Sequence, residues 1–145
     1  MRYKETEKAV FLKRPNRFIA EVEIQGKRET VHVKNTGRCK ELLIPGTEVI
    51  LEKSGNPNRK TKYDLICVNK QGRLINMDSQ IPNKAAEEWI RKGGLFPEEV
   101  SIRPEKKYGN SRFDLYVESP VRRAFVEVKG VTLEEDNVVR FPDAP

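Results

Sequence analysis

The first seventy or so residues alternate apolar and polar side chains in short runs, and that period of two restricts the fold more than any other feature of the chain. The runs are AVFLKR (9–14), RFIAEVEI (17–24), ETVHVKN (29–35), ELLIPGTEVILEK (41–53) and TKYDLICVNK (61–70). Each gives a strand with one apolar face. Turn-forming residues punctuate them: Gly26, the Pro45–Gly46 pair, and the loop SGNPNRK (54–60). Short strands of this kind bury one face without leaving free edges by closing into a small barrel. Five strands fit an OB-like barrel, and on pattern alone an SH3-like barrel fits nearly as well.

The pattern then changes. A boundary falls near residues 72–82, where QGRLINMDSQIP mixes turn residues with a short apolar run, dividing the chain into 1–80 and 81–145. Asp78 or Ser79 is placed to cap a helix with Pro82 in its first turn, running through NKAAEEWIRKG (83–93) to a Gly93–Gly94 stop. Trp89 and Ile90 fall on its apolar side, and Trp89 is assigned to the core rather than to base stacking. A strand from Val100 to Lys107 leads into FDLYVESPVRRAFVEVKG (113–130), which reads as a β-hairpin.

With SPVR (119–122) as the turn, Val117 faces Ala124, Tyr116 faces Phe125, Leu115 faces Val126 and Asp114 faces Glu127. One side of the hairpin is then wholly apolar: Phe113, Leu115, Val117, Ala124, Val126 and Val128. The other carries Asp114, Glu127 and Lys129 beside Tyr116 and Phe125. Two carboxylates directly opposed repel by roughly 0.2–1 kcal/mol. A divalent cation relieves that repulsion, since Mg²⁺ binds one or two carboxylates and keeps its other positions for water or phosphate. Lys129 on the same side is placed to stabilise charge on a phosphate or to orient the attacking water, an arrangement suited to phosphodiester hydrolysis. Solvent-facing acids with a Glu127–Lys129 salt bridge account for the same pattern, and D-x(12)-E-x-K alone is of low specificity.

Lys and Arg total 28 against 22 Asp and Glu, a net charge of +6, which points to a polyanion such as nucleic acid or simply to a well-solvated surface. Candidate nucleic-acid contacts are Asn35 and Arg38 in NTGR (35–38), which reads equally as a turn, then Arg59, Lys60 and Lys62 in NPNRKTK (56–62), and Arg112 beside the hairpin. KRPNR (13–17) adds cations to a barrel loop. No apolar stretch approaches the ~20 residues that span a bilayer, and MRYKETEKAVFLKRP has no apolar core of a secretory signal. No strongly amphipathic basic helix suggests a membrane surface. Cys39 and Cys67 lack CxxC spacing and read as reduced thiols of a cytoplasmic protein, with a single disulfide as the other reading. The only histidine, His32, has no ligand-spaced neighbour and cannot serve most triads, and GxSxG, GxGxxG and P-loop motifs are absent.

The Asp114…Glu127-x-Lys129 hairpin resembles the PD-(D/E)xK nuclease superfamily, the fold of many restriction endonucleases. More narrowly, the whole chain is similar to the sugar fermentation stimulation protein (SfsA) family. The stretches that carry the likeness are HVKNTGRCKELLIPGTEV, RKTKYDLICV, NMDSQIPNKAAEEW, EKKYGNSRFDLYV, FVEVKGVTL and NVVRFPDAP. The resemblance implies an α+β protein of two domains: an N-terminal OB-like nucleic-acid-binding barrel, then a restriction-endonuclease-like α/β domain. It implies Asp114 and Glu127 as ligands of Mg²⁺ or Mn²⁺, the Val128 carbonyl as a third ligand and Lys129 as the catalytic lysine, while Glu105 matches a family acid of less defined role. Family chains continue past FPDAP into a helix and a strand, so the second domain is expected to be incomplete at its C-terminal end and to expose the Phe113, Leu115, Val117 side. A separate chain, as in a homo-oligomer, is one way to complete it. The functional expectation is a metal-dependent nuclease, with DNA favoured over RNA. The alternative is a non-catalytic DNA-binding regulator of sugar metabolism.

Overall fold

Strands β1 (Thr6–Lys13), β2 (Ile19–Ile24), β3 (Lys27–Val33), β4 (Glu48–Lys53) and β5 (Tyr63–Lys70) form where the alternating runs lie. The structure is a computed structural model and describes residues 1–141. Antiparallel pairing joins β3–β2–β1–β4–β5, and a short parallel pairing of β3 with β5 closes the circuit into a five-stranded OB barrel. Alternate residues point inward: Ala9 and Phe11, Ala20 and Val22, Val31 and Val33, Val49 and Leu51 are all buried. On β5 the inward pair is Leu65 and Val68, three apart, because its register with β4 slips between Ile50 and Leu51. Gln25 and Gly26, both at positive φ (50° and 77°), make the two-residue turn between β2 and β3, where only residues tolerant of the left-handed region fit. A sixth strand, β6 (Arg73–Asn76), extends the sheet beyond β5 inside the segment read as a boundary.

Closure rests on a buried carboxylate. His32 of β3 pairs with Asp64 of β5 in the parallel register, and their side chains meet, His32 Nδ1 lying 2.9 Å from Asp64 Oδ1. A carboxylate only accepts, so Nδ1 carries the proton. Arg59 donates to both carboxylate oxygens of Asp64, at 3.0 and 2.8 Å, and Lys34 Nζ bridges Asp64 (3.4 Å) and the buried Asp78 (3.2 Å). Burial by itself raises the Asp64 carboxyl, but the hydrogen bonds from Arg59 and His32 and the charge of Lys34 bring it down to about 2. Cys39 is buried and Cys67 half-buried, both as free thiols.

The helix α1 (Ile81–Arg91) precedes a three-stranded antiparallel sheet of β7 (Ser101–Tyr108), β8 (Ser111–Glu118) and β9 (Arg123–Val126). Ile90 of α1 is buried in one cluster with Phe96, Ile102, Leu115 and Val117. Two helix expectations are corrected. Gln80 is the N-cap, without a side-chain cap bond, because Asp78 is buried beside Lys34 and the Ser79 hydroxyl donates to the Lys34 carbonyl. Trp89 is 55% exposed rather than core; its indole lies over Gly94, where a Cβ would fall 2.1 Å from the ring.

By packing, Gln80–Gly130 with Met1 form one unit, while Arg2–Ser79 and the described residues 131–141 form the other. The return segment carries the hairpin β10 (Leu133–Glu135) and β11 (Val138–Arg140), turned by Asp136 and Asn137 at φ 52° and 66°. Glu134 is held there by Lys70 and Arg73. No helix among the described residues is long and apolar enough to cross a membrane.

Because the folded-state pKa of Asp64 is depressed, its contribution is complete above the unfolded value near 4 and is lost as pH falls towards 2. Asp64→Asn is therefore expected to cost about 3 kcal/mol at neutral pH, the scale of breaking a buried ion pair. It should also flatten the stability profile between pH 4 and 2. Urea unfolding across a pH series checks both.

Candidate active site on the hairpin

The hairpin pairs as its alternation requires, Leu115 with Val126, Tyr116 with Phe125, Val117 with Ala124 and Glu118 with Arg123. The turn is closed by the Ser119 amide donating to the Arg122 carbonyl at 2.9 Å. The ladder stops at Val126, however, and Asp114 and Glu127 do not sit side by side on the polar face. Asp114 Oδ1 accepts from Asn83 Nδ2 of α1 at 2.9 Å, and Oδ2 accepts from the Val128 amide at 2.7 Å. Its side chain therefore lies towards α1, on the side where Leu115 and Val117 are buried. Phe113 is displaced the other way, with its ring 4.7 Å from that of Phe125, which also packs against Tyr108 and Tyr116. The α1 side thus covers Leu115 and Val117, and the bare face of this sheet is the aromatic one, with Tyr108 at 67% exposure.

The physical reason is a break in alternation on β8. The β7–β8 register runs through Pro104–Leu115 and Lys106–Phe113 but skips the position between, where Glu105 takes φ 55°. A residue forced into the left-handed region interrupts the pleat, and the partner strand turns with it. Glu105 is exposed and pairs with Arg112 at 2.8 Å. Past the ladder, Lys129 Nζ lies 2.7 Å from Glu127 Oε1. That hydrogen bond, with the charges of Glu127 and Asp114, raises the Lys129 pKa, so the amine stays an ammonium. Asp114, Val128, Glu127 and Lys129 thus come together at one end of the hairpin.

Gly130 makes this end possible. A Cβ at position 130 would lie 2.7 Å from Cγ of Pro82, so the chain leaving Lys129 passes against the first turn of α1, which also supplies Asn83. Asn83 escaped the sequence reading, although its place one residue after a first-turn proline marked it as a helix-start residue.

The donor set suits a hard cation. Two carboxylates offer only oxygen, and each Asp114 oxygen, after accepting one hydrogen bond, keeps a free lone pair. Among the described residues no group of three or more His, Cys, Asp or Glu side chains is placed to hold a metal. An ion here would complete its shell with backbone carbonyl, water or phosphate, as Mg²⁺ does.

The candidate nucleic-acid contacts are dispersed. The guanidinium of Arg59 is occupied by Asp64, Arg112 by Glu105, and Asn35 Oδ1 accepts the Gly37 amide at 2.8 Å in a local turn. Arg38, Lys60 and Lys62 are exposed, without an ion-pair partner among the described residues.

Comparison with known proteins agrees with this architecture. Residues 12–77 match the family description "SfsA N-terminal OB domain", and residues 80–145 match "Sugar fermentation stimulation protein RE domain". The chain belongs to the SfsA family. SfsA homologues from Ruminiclostridium cellulolyticum and Desulfitobacterium hafniense (strain DSM 10664 / DCB-2) are 59% and 60% identical to it over 145 residues, and the chain spans 64% and 63% of their lengths. The solved structure of Pyrococcus furiosus SfsA, described as in complex with Ca²⁺, superposes on the whole chain with a TM-score of 0.84 at 32% identity, the match covering 63% of that SfsA chain.

Gly130→Ala is expected to destabilise the protein by about 1–3 kcal/mol, the usual scale of overpacking. The neighbouring atom belongs to a proline ring, which cannot swing aside. Thermal unfolding measures the loss, and an unchanged melting temperature would show that this segment and the helix separate freely at this point.

Proposed function

We propose that this chain carries a metal-dependent phosphodiesterase site of the PD-(D/E)xK kind, acting on nucleic acid, with DNA favoured. The observation that supports it best is the convergence of Asp114, Glu127 and Lys129 at one strand end, with Asp114 held by Asn83 and the Val128 amide. Asp114, Glu127 and the Val128 carbonyl would hold Mg²⁺ or Mn²⁺. The Pyrococcus furiosus relative, described as in complex with Ca²⁺, supports a hard divalent cation. When bound, the ion supplies charge neutralisation and an acidified water.

The chain's own groups do the rest. The Asn83 and Val128 donors hold the Asp114 side chain in one orientation without adding a competing charge. Lys129, as an ammonium, is suited to offset the negative charge that develops on a phosphate rather than to take a proton. The OB barrel and the net charge of +6 support nucleic acid as the polyanion.

Mn²⁺ is expected to raise the melting temperature of the wild-type chain, because a ligand held only by the folded state stabilises it. Asp114→Asn should abolish that shift, and Lys129→Ala should retain it. An identical shift in the wild type and Asp114→Asn would place the ion elsewhere.

In Mn²⁺, Lys129→Ala should lower cleavage of a labelled oligonucleotide by roughly two to three orders of magnitude, the scale of one lost transition-state contact. Stability should stay within ~0.5 kcal/mol of wild type, since the side chain opens no core cavity. Equal cleavage by both proteins would remove Lys129 from the chemistry.

A further inference from the structure

We infer that a groove at one end of the barrel, between the β1–β2 loop and the segment leading from β3 to β4, is a binding site for an unpaired nucleic-acid strand. This rests on the reading above that the partner is nucleic acid, and it adds the place and the form of that partner. The groove has a volume of about 420 Å³. Its floor is apolar, made by Phe11, Leu43 and Pro45, and its walls carry Lys13, Arg14, Arg17, Arg38 and Lys40. None of its lining residues is acidic.

Two features separate this cluster from ordinary solvated charge. The first is ion pairing. Most barrel cations near a carboxylate are neutralised, as Lys8, Lys34, Lys53, Arg59, Lys70 and Arg73 are, and so is Lys13 of the groove wall by Glu21 at 3.3 Å, whereas Arg17, Arg38 and Lys40 have no acidic partner among the described residues.

The second is a built framework. Arg14 donates to four backbone carbonyls, those of Gly37 (2.6 Å), Arg38 (2.8 Å), Arg17 (2.7 Å) and Asn35 (2.6 Å). Its Nε is buried with no partner, and its charge meets no carboxylate. One side chain therefore ties both walls together by their main chains and leaves the side chains of Arg17 and Arg38 free to project. A rigid wall loses less entropy when a ligand arrives.

The floor decides the form of the ligand. A duplex presents phosphates outward and hides its base faces, so it gains nothing from the apolar floor, of which Pro45 is the exposed part. An unpaired strand offers base faces and phosphates together, which is what a groove with cationic walls and an apolar floor accommodates.

The test is a binding titration with one labelled oligonucleotide, single-stranded and as its duplex, at several salt concentrations. The single strand should bind about tenfold more tightly than the duplex, because only unpaired bases can rest on the apolar floor. Arg38→Ala/Lys40→Ala should cut single-strand affinity at least about tenfold and reduce the log–log salt slope by about 0.7 for each cation removed. Lys27→Ala/Arg28→Ala, which removes equal charge from the β2–β3 turn at the other end of β2, should stay within about twofold of wild type. Each variant is checked by its melting temperature, and Arg17→Ala replaces any that fails to fold. Equal losses in the two double variants, a duplex preference, or full competition by inorganic phosphate would each overturn the groove. If the groove fails while the Mn²⁺ shift still depends on Asp114, the hairpin reading survives without it.

Discussion

The barrel depends on how its last pairing is made. Four of its five contacts between strands are antiparallel, each extending over several residues, but β3 and β5 touch only at His32–Asp64 and Val33–Leu65. Two paired positions are a weak seam, and the side chains reinforce it. Asp64 collects His32 from the facing strand, Lys34 from just beyond it and Arg59 from the preceding loop, so three elements are tied to one point. Removed from water, such a carboxylate is tolerable only with this many donors. The loop that brings Arg59 into place is thus fixed by the same group that closes the sheet.

The two halves treat a carboxylate in opposite ways. Asp64 is neutralised by cations, which fastens structure and leaves little for a ligand. Asp114 is held by neutral donors, an amide side chain and a backbone N–H, so its charge is oriented but not cancelled. That contrast in compensation, more than burial, separates a structural acid from one free to interact with something else. Glu127, whose pair with Lys129 is half exposed to water, is not locked in the manner of Asp64.

Much of this was legible in the residues. Period-two alternation located all five barrel strands, and the hairpin register followed from requiring one apolar face. What alternation could not show was where it breaks. The strained backbone at Glu105 turns Phe113 and Asp114 to the sides opposite to those their positions predict, and a single backbone torsion leaves no composition signal. The Asp64 network was hidden for a different reason: His32 reads as an isolated histidine and Arg59 as a candidate nucleic-acid contact, because the pairing that gathers them is long-range. Trp89 was misplaced because a glycine neighbour gave the indole a surface seat that hydrophobicity alone does not anticipate. The β10–β11 turn depends on Asp and Asn in the left-handed region, a weaker signal than glycine.

Gly130 lies against Pro82, so the segment that departs after Ser79 ends within a side chain's breadth of where it began. The helix and its three strands thus leave and return at neighbouring points, and the chain that follows carries the separate β10–β11 hairpin. Such a unit is joined to its host by two covalent connections. A protease cut after Gly130 would leave the main-chain link at Ser79 intact, whereas a cut after Ser79 would leave only the return hairpin, held through Glu134 to Lys70 and Arg73. The same geometry makes the unit a natural candidate for transplantation, because a recipient loop need only offer two closely spaced ends to receive it.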